Sequence, residues 1–418
     1  MPPCVVVLLP QSSYRADDLL AAARKLGVEV FVASDRCHVL AEQWTEGSLP
    51  LDFTDPEGAA RALADAVRAR EPRAVLGTDD QTAVIAARTA RLLGLPHDPP
   101  EAVEAARNKR LSRERLRTGG VPVPRFQVVE LGGPVPDGVP FPCVVKPLVL
   151  SGSRGVIRAD GPEELRTALG RIARLLGSPQ VAVRRDAELS RVLIEEFLPG
   201  PEVALEGLLT RGELTVLALF DKPDPLDGPY FEETLYVTPS RHPAQLQQAV
   251  ADALAGAARA LGLGHGPIHA ELRLTPDGPR ILEVAARSIG GLCGRALRFG
   301  VGVTLEELLL LHALGRAPAL PRERAASGVL MLPIRRGGVL REVRGLDRAR
   351  AVPGVTDVVV TAHPDEELVP LPEGASYLGF AFARGETPGQ VESSLRRAAS
   401  LIEPVLDPKL RIATNSTA

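Results

Sequence analysis

Apolar runs of strand length alternate with amphipathic segments of helix length over the first hundred residues. The runs at 4–10, 28–34 and 74–78 predict strands, and Asp17–Leu26, Pro56–Arg70 and Gln81–Leu93 predict helices. Repeated strand–helix–strand units imply a parallel sheet with helices on both faces. We therefore expect a doubly wound α/β domain over residues 1–105.

The turn after the first strand carries the segment PQSSYR, and no G-x-G-x-x-G fingerprint follows it. A dinucleotide-binding domain is therefore not predicted. Ser12, Ser13 and Arg15 could meet a substrate at the carboxyl end of the strand. We favour the alternative that Ser12 or Ser13 caps the next helix.

A predicted helix, Asn108–Thr118, carries Lys109 and ends at Gly119–Gly120, which indicates a linker to a second domain. A buried strand then delivers Lys146, and a Gly/Ser loop with Ser151, Gly152, Ser153 and Gly155 follows it. Such a loop can present N–H groups to phosphate oxygens beside a lysine. It is not a Walker A loop, because a strand rather than a helix follows. A plain hairpin turn would look similar.

The segment 191–207 predicts a strand that runs into Glu195–Glu196, bends at Pro199–Pro201 and restarts at Glu202. It resembles a hinge whose backbone can hydrogen-bond a flat base, although a simple strand–turn–strand fits equally well. The Pro/Gly/Asp-rich segment 221–234, which includes Lys222, predicts a mobile loop.

Two strands, IHAELRL and RILEVA, meet at a turn in residues 268–285. If Leu274 pairs with Arg280, Glu271 lies opposite Glu283, and the two carboxylates repel each other. A cation should lie between them, and oxygen ligands are what Mg²⁺ prefers. A solvated acidic pair with a nearby arginine remains the alternative.

Residues from about 327 onward predict a smaller α+β unit, which we interpret as a lid or a dimerisation module. Its last helix should begin with Thr387 as N-cap and Pro388 at the first helical position. Nothing in this unit indicates catalysis.

The composition limits the class of protein. A net charge of −3 does not favour nucleic-acid binding, and no apolar run has the length of a membrane span. The N-terminus lacks the basic region of a signal peptide, and the four cysteines show no metal-ligand spacing. We therefore expect a cytoplasmic enzyme with free thiols.

Lysine is rare in this chain, with only five lysines among 49 basic residues. Arginine is the default cation here, so a remaining lysine indicates a place that requires a compact ammonium group. Lys109, Lys146 and Lys222 all fall within motif-like stretches.

Taken in order, Lys109, KPLVLSGSRGV, IEEFLPGPE and the pair Glu271/Glu283 followed by Arg287 resemble the ATP-grasp superfamily. The segments TDDQTAVIAA and LGLP and the small C-terminal domain are most similar to the L-amino-acid ligase branch, the bacilysin-type dipeptide synthetases. The resemblance implies an ATP-grasp domain at 106–318, with a small lobe at about 122–195 and a large lobe at about 196–318, and a C-terminal α+β domain at 319–418.

The resemblance also implies roles for single residues. Lys109 and Lys146 would contact the ATP phosphates under the Ser151–Gly155 loop, and Lys222 would contact the nucleotide. Glu195, Glu196, Phe197 and Leu198 would hold adenine, and Glu202 would bind ribose. Glu271 and Glu283 would ligate Mg²⁺ or Mn²⁺, and Arg287 would bind the transferred phosphoryl group or the substrate carboxylate.

One position departs from the family pattern Glu-x-Asn-x-Arg, because Ala285 stands where the pattern has Asn, and this removes an oxygen ligand of a second metal ion. His269 shares a strand face with Glu271, and we interpret it as a core histidine.

The resemblance predicts a ligase that joins a small carboxylate and an amine, both expected to be amino acids, through an acylphosphate. A homodimer is left open. A carboxylating enzyme similar to biotin carboxylase is one alternative, although no biotin-carrier segment is present. A nucleotide-binding protein without catalysis is the other, motivated by Ala285.

Overall fold

The N-terminal unit is a four-stranded parallel sheet with helices on both faces. The computed structural model describes residues 2–11, 13–35, 47–135, 137–316 and 320–408. The unit contains β1 (Cys4–Leu8), α1 (Ala16–Leu26), β2 (Glu29–Ser34), β3 (Ser48–Pro50), α2 (Pro56–Val67), β4 (Ala74–Gly77), α3 (Asp80–Leu93) and α4 (Pro100–Arg107). The strand order is β3-β2-β1-β4, and all pairs are parallel. Val5 and Val7 enter one core cluster while Val6 and Leu8 enter another, as the alternation along a strand requires.

The predicted serine cap of α1 is wrong for Ser13, and Ser12 lies outside the described residues. The N-cap of α1 is Arg15, which makes no capping bond through its side chain. The Ser13 hydroxyl accepts a hydrogen bond from the Arg15 N–H at 3.3 Å instead.

Helix α5 (Lys109–Thr118) leads into the small lobe, and Asn108 is its N-cap. The lobe contains β5 (Phe126–Glu130), β6 (Cys143–Pro147), β7 (Ile157–Ala159), α6 (Pro162–Leu176), α7 (Pro179–Ala182) and β8 (Arg191–Glu196). Its antiparallel sheet has the order β5-β8-β6-β7. Apolar residues of α6 pack on this sheet, so the lobe has a core of its own.

The large lobe and the C-terminal unit share one sheet of eight strands. The large lobe contains β9 (Glu202–Thr210), β10 (Glu213–Lys222), β11 (Leu235–Thr238), α8 (Ala244–Leu261), β12 (Gly266–Thr275), β13 (Gly278–Ala285), β14 (Arg298–Phe299), β15 (Val303–Thr304) and α9 (Leu305–Ala313). The C-terminal unit contains β16 (Ala326–Leu332), β17 (Gly338–Arg344), α10 (Leu346–Arg350), β18 (Val355–Val360), β19 (Glu367–Leu368), β20 (Gly379–Gly385), α11 (Pro388–Ser400) and β21 (Glu403–Asp407). The strand order is β13-β12-β9-β10-β11-β16-β20-β18, so the sheet continues across the boundary expected at residue 318.

The two glutamates of the central hairpin lie opposite each other, although the register that predicted this is wrong. Leu274 pairs with Pro279 rather than with Arg280. A one-residue bulge in β13 then brings Glu271 and Glu283 into register. The bulge compensates for the shift at the turn.

The last helix begins as expected, because Thr387 and Gln390 form a capping box. Lys222 departs from expectation: it is the final residue of β10 and is buried, so it does not belong to a mobile loop. Among the described helices, none combines the length and the apolar character needed to cross a membrane.

Candidate active site

One cleft of about 320 Å³ lies where the two lobes, the N-terminal unit and the C-terminal unit meet. Its lining includes the side chains that the sequence pointed to, except Gly155 and Lys222. Ser13, Thr78 and Asp80 reach it from the carboxyl ends of β1 and β4. Parallel sheets present ligand-binding residues at this edge.

The two cleft lysines are held by different partners. Lys109, the first residue of α5, donates to the Leu150 carbonyl at 2.7 Å and lies 3.7 Å from a Glu283 oxygen. Lys146, on β6, lies 2.6 Å from the Glu195 carboxylate. Both ammonium groups are therefore fixed beside the phosphate-loop candidate.

Glu195 lines the cleft and is buried, and its carboxylate is held by two cations. Arg113 of α5 pairs with the same carboxylate and also donates to the Leu282 carbonyl at 2.7 Å. Burial alone would raise the pKa of Glu195, but the charges of Arg113 and Lys146 outweigh it and lower the pKa to about 2. The carboxylate therefore stays ionised and orients Lys146.

The Gly/Ser loop covers the cleft through a run of left-handed residues. Gly152, Ser153 and Gly155 have φ values of 64°, 55° and 73°. A Cβ on Gly155 would lie 2.7 Å from the Pro147 ring, so the residue must be glycine. Gly155 packs beneath the loop, which explains its absence from the lining.

The hinge after β8 forms the apolar end of the cleft. The N–H of Phe197 donates to the Pro142 carbonyl at 2.9 Å. The guanidinium of Arg158 lies 4.3 Å from the centre of the Phe197 ring, and Phe231 lies nearby. Phe197, Phe231 and Leu282 give this end the flat, apolar surface that an adenine ring requires.

Three carboxylates surround Lys222 at the base of the cleft. Its ammonium lies 2.6 Å from Glu202 and 3.3 Å from Glu271, and it also pairs with Glu233. Burial alone would lower the pKa of Lys222, but the three carboxylates raise it well above its ordinary value. Oxygen atoms of Glu202, Glu233 and Glu271 lie within 4.8 Å of one another, so this cluster has metal-ligand chemistry.

The donor set fits a divalent cation on the cleft side of the hairpin. Glu271 and Glu283 lie opposite each other and both line the cleft, while Ala285 is buried and offers no side-chain oxygen. Glu283 is one-third exposed. The pair offers the carboxylate oxygens that a divalent cation prefers.

Two arginines join the N-terminal unit to the hairpin. Arg287 donates to both oxygens of Asp80, at 2.9 and 3.1 Å. Arg15 donates to the Ser288 hydroxyl at 2.6 Å and to Glu306 at 3.1 Å. Both guanidinium groups therefore line the cleft and are held in place by carboxylates.

His269 is buried between two carboxylates and also lines the cleft. Its Nδ1 lies 3.1 Å from Glu206, and its Nε2 lies 3.8 Å from Glu271. Burial alone would lower the pKa of His269, but the two carboxylates raise it to about 9. The residue is buried, as expected of a core histidine, and its charge helps to hold Glu271 in place.

Sequence reasoning missed the wall opposite the hairpin. Tyr14, Tyr377 and Phe380 line it, with ring centres 5.8 Å apart for Tyr14–Phe380 and 6.0 Å apart for Tyr377–Phe380. The C-terminal unit thus contributes to the cleft. Glu233 was also missed, because it lies in a loop without a motif. Asp80 stood within TDDQTAVIAA, which was noted only as a resemblance.

Comparison with known families identifies the class. The family model described as an ATP-grasp domain matches residues 139–296, and that of the ATP-grasp N-terminal domain matches residues 20–97. The chain belongs to the ATP-grasp superfamily. Residues 330–407 match the L-amino acid ligase C-terminal domain 2, which relates the chain to that branch.

Curated relatives are longer than this chain. Carnosine synthase 1 of Gallus gallus is 31% identical over 78% of this chain and 38% of its own length. The uncharacterized protein y4rH of Sinorhizobium fredii is 28% identical over 77% of this chain and 66% of its own length. Dapdiamide A synthase of Enterobacter agglomerans is 30% identical over 46% of this chain and 44% of its own length. The chain thus spans less than two thirds of each of these relatives.

The fold agrees with a solved structure over nearly the whole chain. The crystal structure of L-amino acid ligase from Bacillus licheniformis superposes with a TM-score of 0.80, covering 97% of this chain and 99% of that one at 24% identity. This likeness confirms the predicted fold, including the C-terminal α+β part.

Proposed function

We propose that the chain is an ATP-dependent ligase that joins a small carboxylate to an amine, both of them amino acids. The observation that carries the proposal is the convergence, in one covered cleft, of Lys109, Lys146 and Arg287 with the opposed carboxylates Glu271 and Glu283. Such a site needs little covalent chemistry of its own, because positioning and charge neutralisation suffice for phosphoryl transfer.

The reaction has two displacements. A carboxylate oxygen of the first substrate attacks the γ-phosphorus of ATP, an O–P bond forms, and the bond to the β–γ bridging oxygen breaks to release ADP. The nitrogen of the second substrate then attacks the acyl carbon, a C–N bond forms, and the C–O bond to phosphate breaks. The amine loses a proton, and phosphate leaves.

The residues divide this work between them. Lys109 and Lys146 bind phosphate oxygens, and the Ser151–Ser153 loop excludes water from the acylphosphate. Arg287, fixed by Asp80, binds the transferred phosphoryl group or the substrate carboxylate. Glu271 and Glu283 would hold Mg²⁺, which would supply positive charge against the phosphates.

The cleft favours an acylphosphate over a covalent enzyme intermediate. Its cysteine, Cys293, is buried, and burial raises the pKa of the thiol well above its ordinary value, so the thiol stays protonated. Among the described serines that line the cleft, Ser13 accepts a hydrogen bond from the Arg15 N–H rather than bonding to a histidine. Neither residue is an activated nucleophile.

The cleft also favours a substrate larger than bicarbonate. Beyond the phosphate side, the space is walled by Tyr14, Tyr377 and Phe380. An aromatic wall suits an organic side chain, whereas bicarbonate carries no apolar surface to bury. This supports amino acids over a carboxylation reaction.

The nucleotide product tests the proposal. With a mixture of the twenty amino acids, ion-exchange chromatography should show ADP and phosphate accumulating only when amino acids are present. Hydroxylamine should intercept the acylphosphate as a hydroxamate. Accumulation of AMP without ADP would contradict the mechanism, turnover with bicarbonate alone would favour carboxylation, and the absence of any turnover would favour a noncatalytic nucleotide-binding protein.

A further inference from the structure

The Gly/Ser loop that covers the cleft is fastened at both ends, each time to a different part of the protein. At its beginning, the N–H of Lys109 donates to the Leu148 carbonyl at 3.0 Å, and the Lys109 ammonium donates to Leu150. At its end, the N–H of Gly155 donates to the Pro372 carbonyl at 2.8 Å. The first attachment lies in the helix before the small lobe, and the second lies in the C-terminal unit.

Two arginines of the small lobe reinforce the second attachment. Arg154 donates from Nε to the Glu373 carbonyl at 2.8 Å. Arg171, on α6, holds both oxygens of the Glu373 carboxylate, with Nη2 at 2.8 Å from Oε2. The same guanidinium contacts the Tyr230 hydroxyl. A bidentate ion pair fixes the relative orientation of the two side chains and also contributes electrostatic attraction.

The attachment is suited to opening and closing. The side chains of Arg171 and Glu373 are 34% and 36% exposed, so water can replace the ion pair at little cost. A covering loop in a ligase must open to admit ATP and close before the activated carboxylate forms. An ion pair at the cleft rim can break and re-form in every cycle.

The same C-terminal segment also faces the substrate side of the cleft. Ala375, Ser376 and Tyr377 line the cleft immediately after Glu373. Gly374 between them approaches its own chain so closely that a Cβ would lie 1.9 Å from the Val369 carbonyl oxygen. The turn is therefore tight, and it holds Glu373 at a fixed position beside the cleft.

We propose that Pro370–Tyr377 is a latch that holds the Gly/Ser loop closed, with Glu373 as its positioning residue. The inference rests on the proposed ligase function and assigns the C-terminal unit a part in it. By holding the loop closed, the latch keeps water away from the acylphosphate until the amine attacks. Weakening the latch should divert turnover from amide formation to ATP hydrolysis.

The test compares Glu373→Ala with a matched control, Glu323→Ala. Glu323 pairs with Arg384 in the same C-terminal unit, with side-chain exposures of 26% and 34%, and its ion pair does not join the small lobe. With the twenty amino acids as substrates, phosphate released per amide formed should rise about threefold or more in Glu373→Ala and stay at the wild-type ratio in Glu323→Ala. The KM for ATP should also rise in Glu373→Ala.

A second measurement does not depend on ligation. In the protein without substrates, amide hydrogen exchange at residues 154–156 should be about two- to fivefold faster in Glu373→Ala than in wild type or Glu323→Ala. Arg171→Gln, which breaks the pair from the other side, should reproduce both effects. The charge-swapped double variant Arg171→Glu/Glu373→Arg should restore slow exchange and tight coupling.

The outcomes separate the latch from the proposed function. Unchanged exchange and unchanged phosphate-to-amide ratio in both Glu373→Ala and Arg171→Gln would overturn the latch while leaving the ligase function intact. A wild-type protein that forms no amide would overturn the ligase function, and the exchange measurement would still decide whether the latch closes the loop.

Discussion

Asp80 accepts two hydrogen bonds from Arg287, one from Nε at 2.9 Å and one from Nη2 at 3.1 Å. The pair joins the first residue of α3 to the segment directly after the central hairpin. Burial alone would raise the pKa of Asp80, but the charge of Arg287 lowers it, so the carboxylate stays ionised. The N-terminal unit thus sets the position of an arginine that the ATP-grasp hairpin provides.

Asp80→Asn keeps the size of the side chain but removes the charge that holds Arg287 in position. We expect kcat/KM for amino-acid-dependent ATP turnover to fall about 10- to 100-fold, equivalent to about 1.4–2.7 kcal/mol. Asp65→Asn, at an exposed position of the same unit, should change it little. Equal rates for the two variants would show that Arg287 does not depend on Asp80.

A structural feature could be predicted from the sequence when the residues that determine it lie close together along the chain. The parallel sheet and the N-cap at Thr387 follow from patterns within a few residues of one another. The opposition of Glu271 and Glu283 was expected from a different register and depends on the bulge in β13. The contributions of Glu233 and Tyr377 do not follow from such local patterns. They depend on where a long loop lies and on β16 and β20 joining the central sheet, which requires pairing between residues up to 95 positions apart.

Lys222 illustrates a different limit of sequence reasoning. The Pro, Gly and Asp residues around Lys222 predict a loop at this position. In the structure Lys222 ends β10, and three carboxylates compensate its charge. Glu202, Glu233 and Glu271 are separated by tens of residues in the sequence. Only the tertiary structure brings them around one ammonium group.

Lys146→Met tests the assignment of the phosphate side. The substitution removes the ammonium but keeps an unbranched side chain, and Glu195 retains Arg113, so the fold should hold. We expect the Kd for ATP, measured by calorimetry, to rise about 10- to 100-fold, because a charge-assisted contact of about 1.5–3 kcal/mol is lost. Lys25→Met should leave the Kd for ATP unchanged. The Lys25 side chain pairs with Glu307 and is 63% exposed at the protein surface. Similar affinities in both variants would contradict the assignment.

Glu283→Gln tests the metal side of the hairpin. Removing the charge should raise the Mg²⁺ concentration needed for half-maximal ATP turnover about tenfold or more, since a cation loses an anionic ligand. In the absence of metal, the free energy of unfolding should change by less than about 1 kcal/mol. The reason is that Glu283 is one-third exposed and its ion-pair partner, Lys109, lies 3.7 Å away. Glu213→Gln is the control, because Glu213 is exposed and is the first residue of β10. A large loss of metal-free stability would show that Glu283 acts as a structural ion-pair partner.

Asp98 should give the protein a pH-dependent stability that lies outside the cleft. Burial raises the pKa of Asp98 from 3.8 to about 6, even though the N–H groups of Gly264 and His265 donate to its Oδ1. Because the folded protein binds this proton more tightly than the unfolded chain, the stabilising contribution is complete below about pH 3.8 and is lost as the pH rises through about 6.

Asp98→Asn keeps an oxygen acceptor for both N–H groups and removes the charge. We expect the free energy of unfolding at pH 7.5 to rise by about 1–2 kcal/mol, with little change near pH 4. Urea denaturation at the two pH values measures the difference, with Asp65→Asn as the exposed control. A loss of stability at pH 7.5 would mean that the ionised carboxylate is itself favourable at this site.

Tyr377→Ala tests whether the aromatic wall selects the substrate. The ring lies 6.0 Å from that of Phe380 and lines the cleft. Truncating it removes apolar surface from the substrate side while leaving the phosphate contacts in place. We expect the KM for amino acids with large apolar side chains to rise about tenfold, consistent with the loss of about 1–1.5 kcal/mol of ring contact, and the KM for alanine to change much less. The Kd for ATP should stay near its wild-type value, which separates this effect from a general disturbance of the cleft. If all amino acids and ATP were affected equally, Tyr377 would support the fold of the C-terminal unit rather than the choice of substrate.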